Sequence, residues 1–260
     1  MSTHEDNARF IDVSGRRLHY VKVGPDSSGT PLVFLHEGLG SVELWRAFPG
    51  DVSETTRHPG LVYSRHGNGW SSPLAGRRRP DYMHEEALDF LPRVVGELVG
   101  RPPILVGHSD GASIALIYAG SDHPVEALVL IAPHVFVEPE TLESIGSIRD
   151  RFPHSDMPAK MARYHADPDS TFYGWADIWL DPRFREWNIE QHLAGISAPT
   201  LLIQGDSDEY GTLRQLDAID AGLANPTDRV VVEGAGHSPH LSHPELVVGA
   251  VVAFVRGLGR

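Results

Sequence analysis

The chain has 260 residues, of which 41% are hydrophobic and 22% charged, so it can bury a sizeable core and does not read as disordered, fibrous or coiled-coil. Its formal net charge of -13 sets the overall field against DNA and anionic membranes, and the short basic run Arg77-Arg78-Arg79, between Gly76 and Pro80, reads as a solvated loop. The absence of cysteine excludes disulfides, thiolate catalysis and cysteine-ligated metals.

Residues 1–10 are polar, with Glu5 and Asp6 where a secretory signal needs an apolar stretch. No later run approaches the roughly 18 apolar residues of a membrane span. A cytoplasmic location is expected, with a small-molecule substrate and neither membrane nor nucleic acid as partner; oligomeric state is not readable.

Stretches 10–13 and 18–23 are rich in β-formers around the turn pair Ser14-Gly15, which predicts an antiparallel hairpin at a sheet edge. Short continuous apolar runs follow at 32–35, 61–63, 104–106, 128–131, 201–203 and 230–232, separated by amphipathic stretches. This is the pattern of parallel strands covered on both faces by crossover helices. Between them, 85–99 places Leu88, Leu91, Val95 and Leu98 on one helical face and Glu86, Asp89, Arg93 and Glu97 on the other. Pro92 lacks the N–H an interior turn needs, so a kink or two shorter helices is expected there. The stretch 244–256 reads as a closing helix, with Leu246, Val247, Ala250, Val251 and Phe254 on its packing side.

From 135 to 194 there is no strand-like run. Aromatic residues, among them Phe136, Trp175 and Trp179, alternate instead with prolines, which predicts several short helices inserted between two parallel strands. Such an insertion lies over the ligand-binding end of an α/β sheet, so 135–194 is a candidate helical cap on a core made of 1–134 and 195–260. Phe136, Trp175 and Trp179 are candidate substrate contacts, although most of the aromatics are expected to pack the insertion itself.

The strongest chemical signal is Gly107-His108-Ser109-Asp110-Gly111, between the run 104–106 and a helix rich in small residues. A serine on a tight strand-to-helix turn needs a strained backbone and flanking glycines, because side chains there would strike the strand or the helix. With this motif the chain resembles the α/β-hydrolase superfamily over nearly its whole length, and three further stretches carry the resemblance. His36-Glu37-Gly38-Leu39-Gly40 resembles the family's oxyanion loop, which implies donation from the Gly38 N–H, or the Leu39 N–H, together with that of Asp110. The family usually has glycine where this chain has Glu37; an outward-facing or arginine-paired carboxylate is expected.

Gln204-Gly205-Asp206-Ser207-Asp208 ends a strand, and the family's spacing selects Asp208 as the triad acid, with Asp206 as fallback. Gly234-Ala235-Gly236-His237 follows the last strand and implies His237 as the base. His36, Glu37 and His108 are weaker candidates for substrate contact, with space-filling beneath the elbow the preferred role for His108. The segment Arg65 to Ser71 reads as a structural turn. His237, His240 and His243 recur every third residue, but Pro239 and Pro244 break any helix that would align them as metal ligands.

The resemblance thus implies an α/β-hydrolase fold with a mostly parallel sheet, helices on both faces and a helical cap after the sixth strand. It also implies cofactor-free hydrolysis of an ester or lactone by Ser109, His237 and Asp208. A carbon–carbon bond hydrolase, an amidase or aminopeptidase-like enzyme, or a receptor retaining the fold are the alternatives. Epoxide hydrolases and haloalkane dehalogenases of this fold use an aspartate nucleophile, against which Ser109 argues.

Overall fold

The computed structural model describes residues 9–258. Eight strands, β1 (Arg9–Val13), β2 (Arg16–Val23), β3 (Leu32–Leu35), β4 (Gly60–Tyr63), β5 (Ile104–His108), β6 (Ala127–Ile131), β7 (Thr200–Gly205) and β8 (Asp228–Val232), form one sheet in the order β1-β2-β4-β3-β5-β6-β7-β8. β2 pairs antiparallel with both β1 and β4, and all other pairings are parallel. The hairpin closes where Ser14 (φ 53°) and Gly15 (φ 77°) both turn left-handed, the conformation a two-residue hairpin needs. It lies at the sheet edge.

The central strands bury both faces, and alternate residues serve two cores. Leu32, Phe34, Ile104, Val106, Val129 and Ile131 face α1 (Phe48–Thr56) on one side, where Phe48 and Val52 meet Val247, Val251 and Val255 of the C-terminal helix. Val33, Leu35, Leu105, Leu128 and Leu130 face the other side, covered by α2 (Tyr82–Glu85), α3 (Leu91–Leu98), α4 (Asp110–Ala119) and residues of the 135–194 segment. That segment, between β6 and β7, contains α5 (Pro139–Arg151), α6 (Met157–Met161), α7 (Pro168–Trp179) and three 3-10 turns. α8 (Arg214–Gly222), α9 (Pro239–Ser242) and α10 (Pro244–Gly257) complete the chain. Among the described residues no helix is long and apolar enough to cross a membrane.

Three details depart from expectation. Around Pro92 two short helices stand in place of one straight helix, but without a gap: α2 runs into α3 through a π turn over Glu86–Phe90, with the Leu91 N–H bonded to the Glu86 carbonyl. The wider turn accommodates the proline ring and its missing donor. It also inserts a phase slip, so Glu86 turns inward (4% exposed) and Leu88 outward (38%), the reverse of a uniform 3.6-residue period. In α10 the buried ridge is Val247, Val251 and Val255, and Leu246 faces out. Arg78 is not a solvated member of its arginine run: its Nη2 donates to the His66 carbonyl (3.1 Å) and to Asn68 Oδ1 (3.1 Å).

The junction of β5 with α4 sets the geometry of everything downstream. A Cβ on Gly111 would lie 1.9 Å from the Leu35 carbonyl oxygen at the end of β3, and one on Gly107 would lie 2.5 Å from the Ala112 Cα. Only hydrogen fits at either position. Ser109 is thereby held at φ 53°, ψ -119°, a strained conformation for a residue with a side chain, while its N–H donates to the Ile131 carbonyl (2.9 Å).

Two outcomes are expected in chemical denaturation. Leu91→Ala should cost about 2–5 kcal/mol, whereas Leu88→Glu should stay within about 0.5 kcal/mol; the opposite ranking would show that the π turn does not set the helix phase. Gly111→Ala should cost more than about 3 kcal/mol or prevent folding, because backbone rather than a flexible side chain blocks the methyl group.

Candidate active site

The carboxyl ends of β3, β5, β6, β7 and β8 converge, as the parallel sheet requires, and each delivers a polar residue to one region. From β5 comes Ser109, 6% exposed, at the N-terminus of α4. The next residue, Asp110, is buried and fixed by its side chain: Tyr82 Oη donates to Oδ2 at 2.7 Å, and Arg65 Nη2 lies 3.8 Å from the same oxygen. Burial, followed by the Asp110 charge, pushes the Tyr82 phenol well above its ordinary pKa, so it stays a donor. Among the described residues, the N–H groups of Asp110, Gly38 and Leu39 take no part in the backbone hydrogen-bond network outside helices and strands.

The loop after β3 is held by a polar scaffold. Arg65, fully buried, donates from Nη2 to the carbonyls of His36 (3.1 Å) and Glu37 (2.9 Å). The Arg65 N–H donates to His36 Nε2 (2.9 Å), which leaves Nδ1 as the protonated nitrogen donating to the Glu37 carbonyl (2.6 Å). Burial and then the Arg65 charge hold His36 well below its usual pKa, in keeping with that neutral ring. Both of its nitrogens are engaged by backbone, so His36 has no ring atom left to address a ligand.

Asn68 completes the scaffold. Its Nδ2 donates to the Gly38 (2.9 Å) and Gly40 (3.1 Å) carbonyls, and its Oδ1 accepts from Arg78. The segment read as a structural turn therefore braces the loop that carries Gly38. The one trace of this in the sequence is Asn68 between Gly67 (φ 84°) and Gly69 (φ 56°), whose left-handed backbones form the turn around it.

The loops after β7 and β8 bring Asp208 and His237 together. His237 Nδ1 stands 2.9 Å from Asp208 Oδ1 and 3.0 Å from Oδ2. Asp208 also accepts from the Tyr210 N–H (2.9 Å) and from Gln204 Nε2 (3.2 Å). Burial alone would raise its pKa, but the neighbouring His237 and the Tyr210 N–H outweigh burial and lower it. For His237 the balance runs the other way: burial would lower its pKa, yet the Asp208 charge and hydrogen bond raise it above 6.5. Asp206 lies apart from this pair, accepting from the Gly234 N–H (2.8 Å) and from Ser207 Oγ (3.0 Å). His237 lies beside the elbow, since His108 Nε2 donates to its carbonyl at 2.8 Å. Ser109 Oγ forms no hydrogen bond among the described residues.

Glu37 does not face outward and does not pair with arginine through its side chain: Oε2 lies 3.5 Å from His108 Nδ1 and folds back over Gly40, where a Cβ would sit 2.4 Å from it. Of the aromatics, Trp175 lies directly on Gly38, with its Cδ1 2.1 Å from where a Cβ would be, and its ring centroid is 6.2 Å from Tyr210. Trp179 packs edge-on to His134 (5.3 Å) and tightly against Phe184 (5.0 Å). Phe136 lies at the segment's root, bridged to Asn188 and beneath the Arg214 guanidinium.

His134 was not singled out in the sequence. It follows β6, is buried, and has its ring centroid 5.7 Å from that of His237; burial and then the His237 charge lower its pKa to about 3. Its position just past a strand end is the signal that could have found it. His240 packs against Trp45 (5.1 Å), Phe48 (5.3 Å) and His108 (4.6 Å).

Three comparisons bear on this arrangement. The alpha/beta hydrolase family model matches residues 32–250. An epoxide hydrolase A from Mycobacterium tuberculosis is 34% identical, over 96% of this chain and 97% of its own length. A solved structure of a membrane phospholipase A superposes with a TM-score of 0.79 at 22% identity, covering 97% of this chain and 86% of that one. With the family match spanning six of the eight strands and the loops that carry Gly38, Ser109, Asp208 and His237, the chain belongs to the alpha/beta hydrolase family and is a hydrolase.

Proposed function

We propose that the protein hydrolyses a carboxylic ester or lactone through an acyl-enzyme, with Ser109 as nucleophile, His237 as general base and Asp208 as the acid that orients it. The observation carrying this reading is the His237–Asp208 pair at 2.9 Å, beside a serine on a strained strand-to-helix turn. Asp208, accepting at Nδ1, fixes the tautomer that leaves Nε2 free to take the Ser109 proton. Rotation of the Ser109 side chain toward Nε2 is the step required on substrate binding, since catalytic hydrogen bonds are often long or unformed before it.

Attack on the carbonyl carbon forms the Ser109 Oγ–C bond and moves the carbonyl electron pair onto oxygen. The Asp110 and Gly38 N–H groups, with Leu39 as the alternative second donor, stabilise that oxyanion, aided by the positive end of the α4 dipole. His237 returns its proton to the leaving oxygen and then activates water against the acyl group. Segment 135–194 acts as the cap that keeps bulk water out, with Trp175 lying over Gly38.

The relative named epoxide hydrolase A supports a second reading, but the chemistry of a serine opposes it. Attack of a serine oxygen on an epoxide carbon yields an alkyl ether, which has no carbonyl at which water could release the product. An acyl ester of the same oxygen does, and that asymmetry favours the carboxylic substrate.

With purified protein assayed on p-nitrophenyl acetate, a lactone, an anilide and styrene oxide, ester or lactone turnover should lead. Ser109→Ala should reduce it by about four to six powers of ten at unchanged melting temperature. Epoxide turnover that survives Ser109→Ala would overturn the proposal. The base acts unprotonated and its pKa is raised, so kcat/KM should fall with decreasing pH through a midpoint above 6.5. Asp208→Asn should move that limb to lower pH, and a limb unmoved by it would dissociate His237 from the reaction.

A further inference from the structure

Besides Asp208 and Glu209, whose Oε2 accepts from the His237 N–H (3.1 Å), a third carboxylate is connected to His237, indirectly, through His108. His108 occupies the position before Ser109, and its Nε2 is 2.8 Å from the His237 carbonyl oxygen. A carbonyl only accepts, so Nε2 carries a proton and donates. The other ring nitrogen, Nδ1, is buried and 3.5 Å from Glu37 Oε2. Without a further proton these two atoms would be facing acceptors in a buried setting. A shared proton would make the contact attractive.

We infer that Glu37 and His108 form a positioning pair that ties the loop bearing Gly38 to the loop bearing His237, and so sets the spacing between oxyanion donors and base. This rests on the catalytic reading above and assigns neither residue a contact with substrate.

The chain of atoms runs through three loops from three strand ends: Glu37 after β3, His108 at the end of β5, and the His237 carbonyl after β8. Each link is confined. The Glu37 peptide carbonyl is held by Arg65 Nη2, and its carboxylate lies against Gly40 in space only a glycine leaves open. The His108 ring packs against His240 (4.6 Å) and Trp45 (6.2 Å), which also pack against each other (5.1 Å). Burial would favour a neutral Glu37, but its contact with His108, and then His36, lowers the pKa.

The geometry explains why a glutamate occupies a loop in which negative charge would oppose an oxyanion. The carboxylate is folded back over Gly40 and toward the His108 imidazole. It follows that the pair acts on kcat, because the distance between donors and base matters most when charge develops in the transition state.

The test is a double-mutant cycle of Glu37→Gln, His108→Gln and the double variant. Its readouts are p-nitrophenyl acetate kinetics and the rate at which a fluorophosphonate labels Ser109, with melting temperatures as a fold control. Glu37→Gln, similar in size and partly exposed, should lower kcat and the labelling rate by about ten- to a hundredfold, with KM within about twofold. In the His108→Gln background the same change should cost no more than about twofold further. Wild-type kcat in Glu37→Gln, or two losses that multiply in the double variant, would overturn the pairing. Activity independent of Ser109 would instead sink the reading beneath it, and Ser109→Ala in parallel separates the two failures.

Discussion

The contact between Gly111 and the end of β3 is the constraint on which the site depends. Because the backbone of α4 touches the Leu35 carbonyl, the elbow and the loop beginning at His36 become parts of one rigid body. That closeness fixes where the elbow stands relative to the loop after β3, and it goes with the positive φ at Ser109. The strain is tolerable because β5 and α4, buried along their length, hold the turn from both sides.

Around that contact the protein uses buried polar groups where an apolar core would be simpler. Arg65 is fully buried, and Asp110 has Tyr82 on one of its oxygens. Such groups are costly to desolvate and add little net stability unless well bonded. What they provide is direction. Arg65 and Asn68 together take up the carbonyls of His36, Glu37, Gly38 and Gly40, so the peptide units of this loop are oriented by four external hydrogen bonds. Glu86, turned inward by the π turn, belongs to the same layer: burial raises its pKa, and the charges of Arg65, Arg78 and Arg16 pull the other way.

What the sequence disclosed follows from the range of the forces involved. The Ser14-Gly15 hairpin and the short apolar strands are local signals, and each was readable where it stands. The loops carrying Ser109, Asp208 and His237 were readable because glycine marks the end of each strand before them. The helix phase around Glu86 and Leu88 was not, since a single wider turn leaves no trace in a periodicity averaged over several turns. Nor were the roles of Arg65 and Asn68, whose partners lie about thirty residues earlier in the chain and depend on β3 and β4 being neighbours. Arg78 was misread for the same reason: a run of three arginines looks solvated until one of them finds Asn68.

The indole of Trp175 resting on Gly38 has a consequence for which residues position 38 can hold. The ring fills the space a Cβ would occupy, so any side chain there would have to displace Trp175. Because Trp175 belongs to α7, a bulkier residue in this loop would register first as a change in how the 135–194 segment is seated, and only secondarily in the loop's own hydrogen bonds.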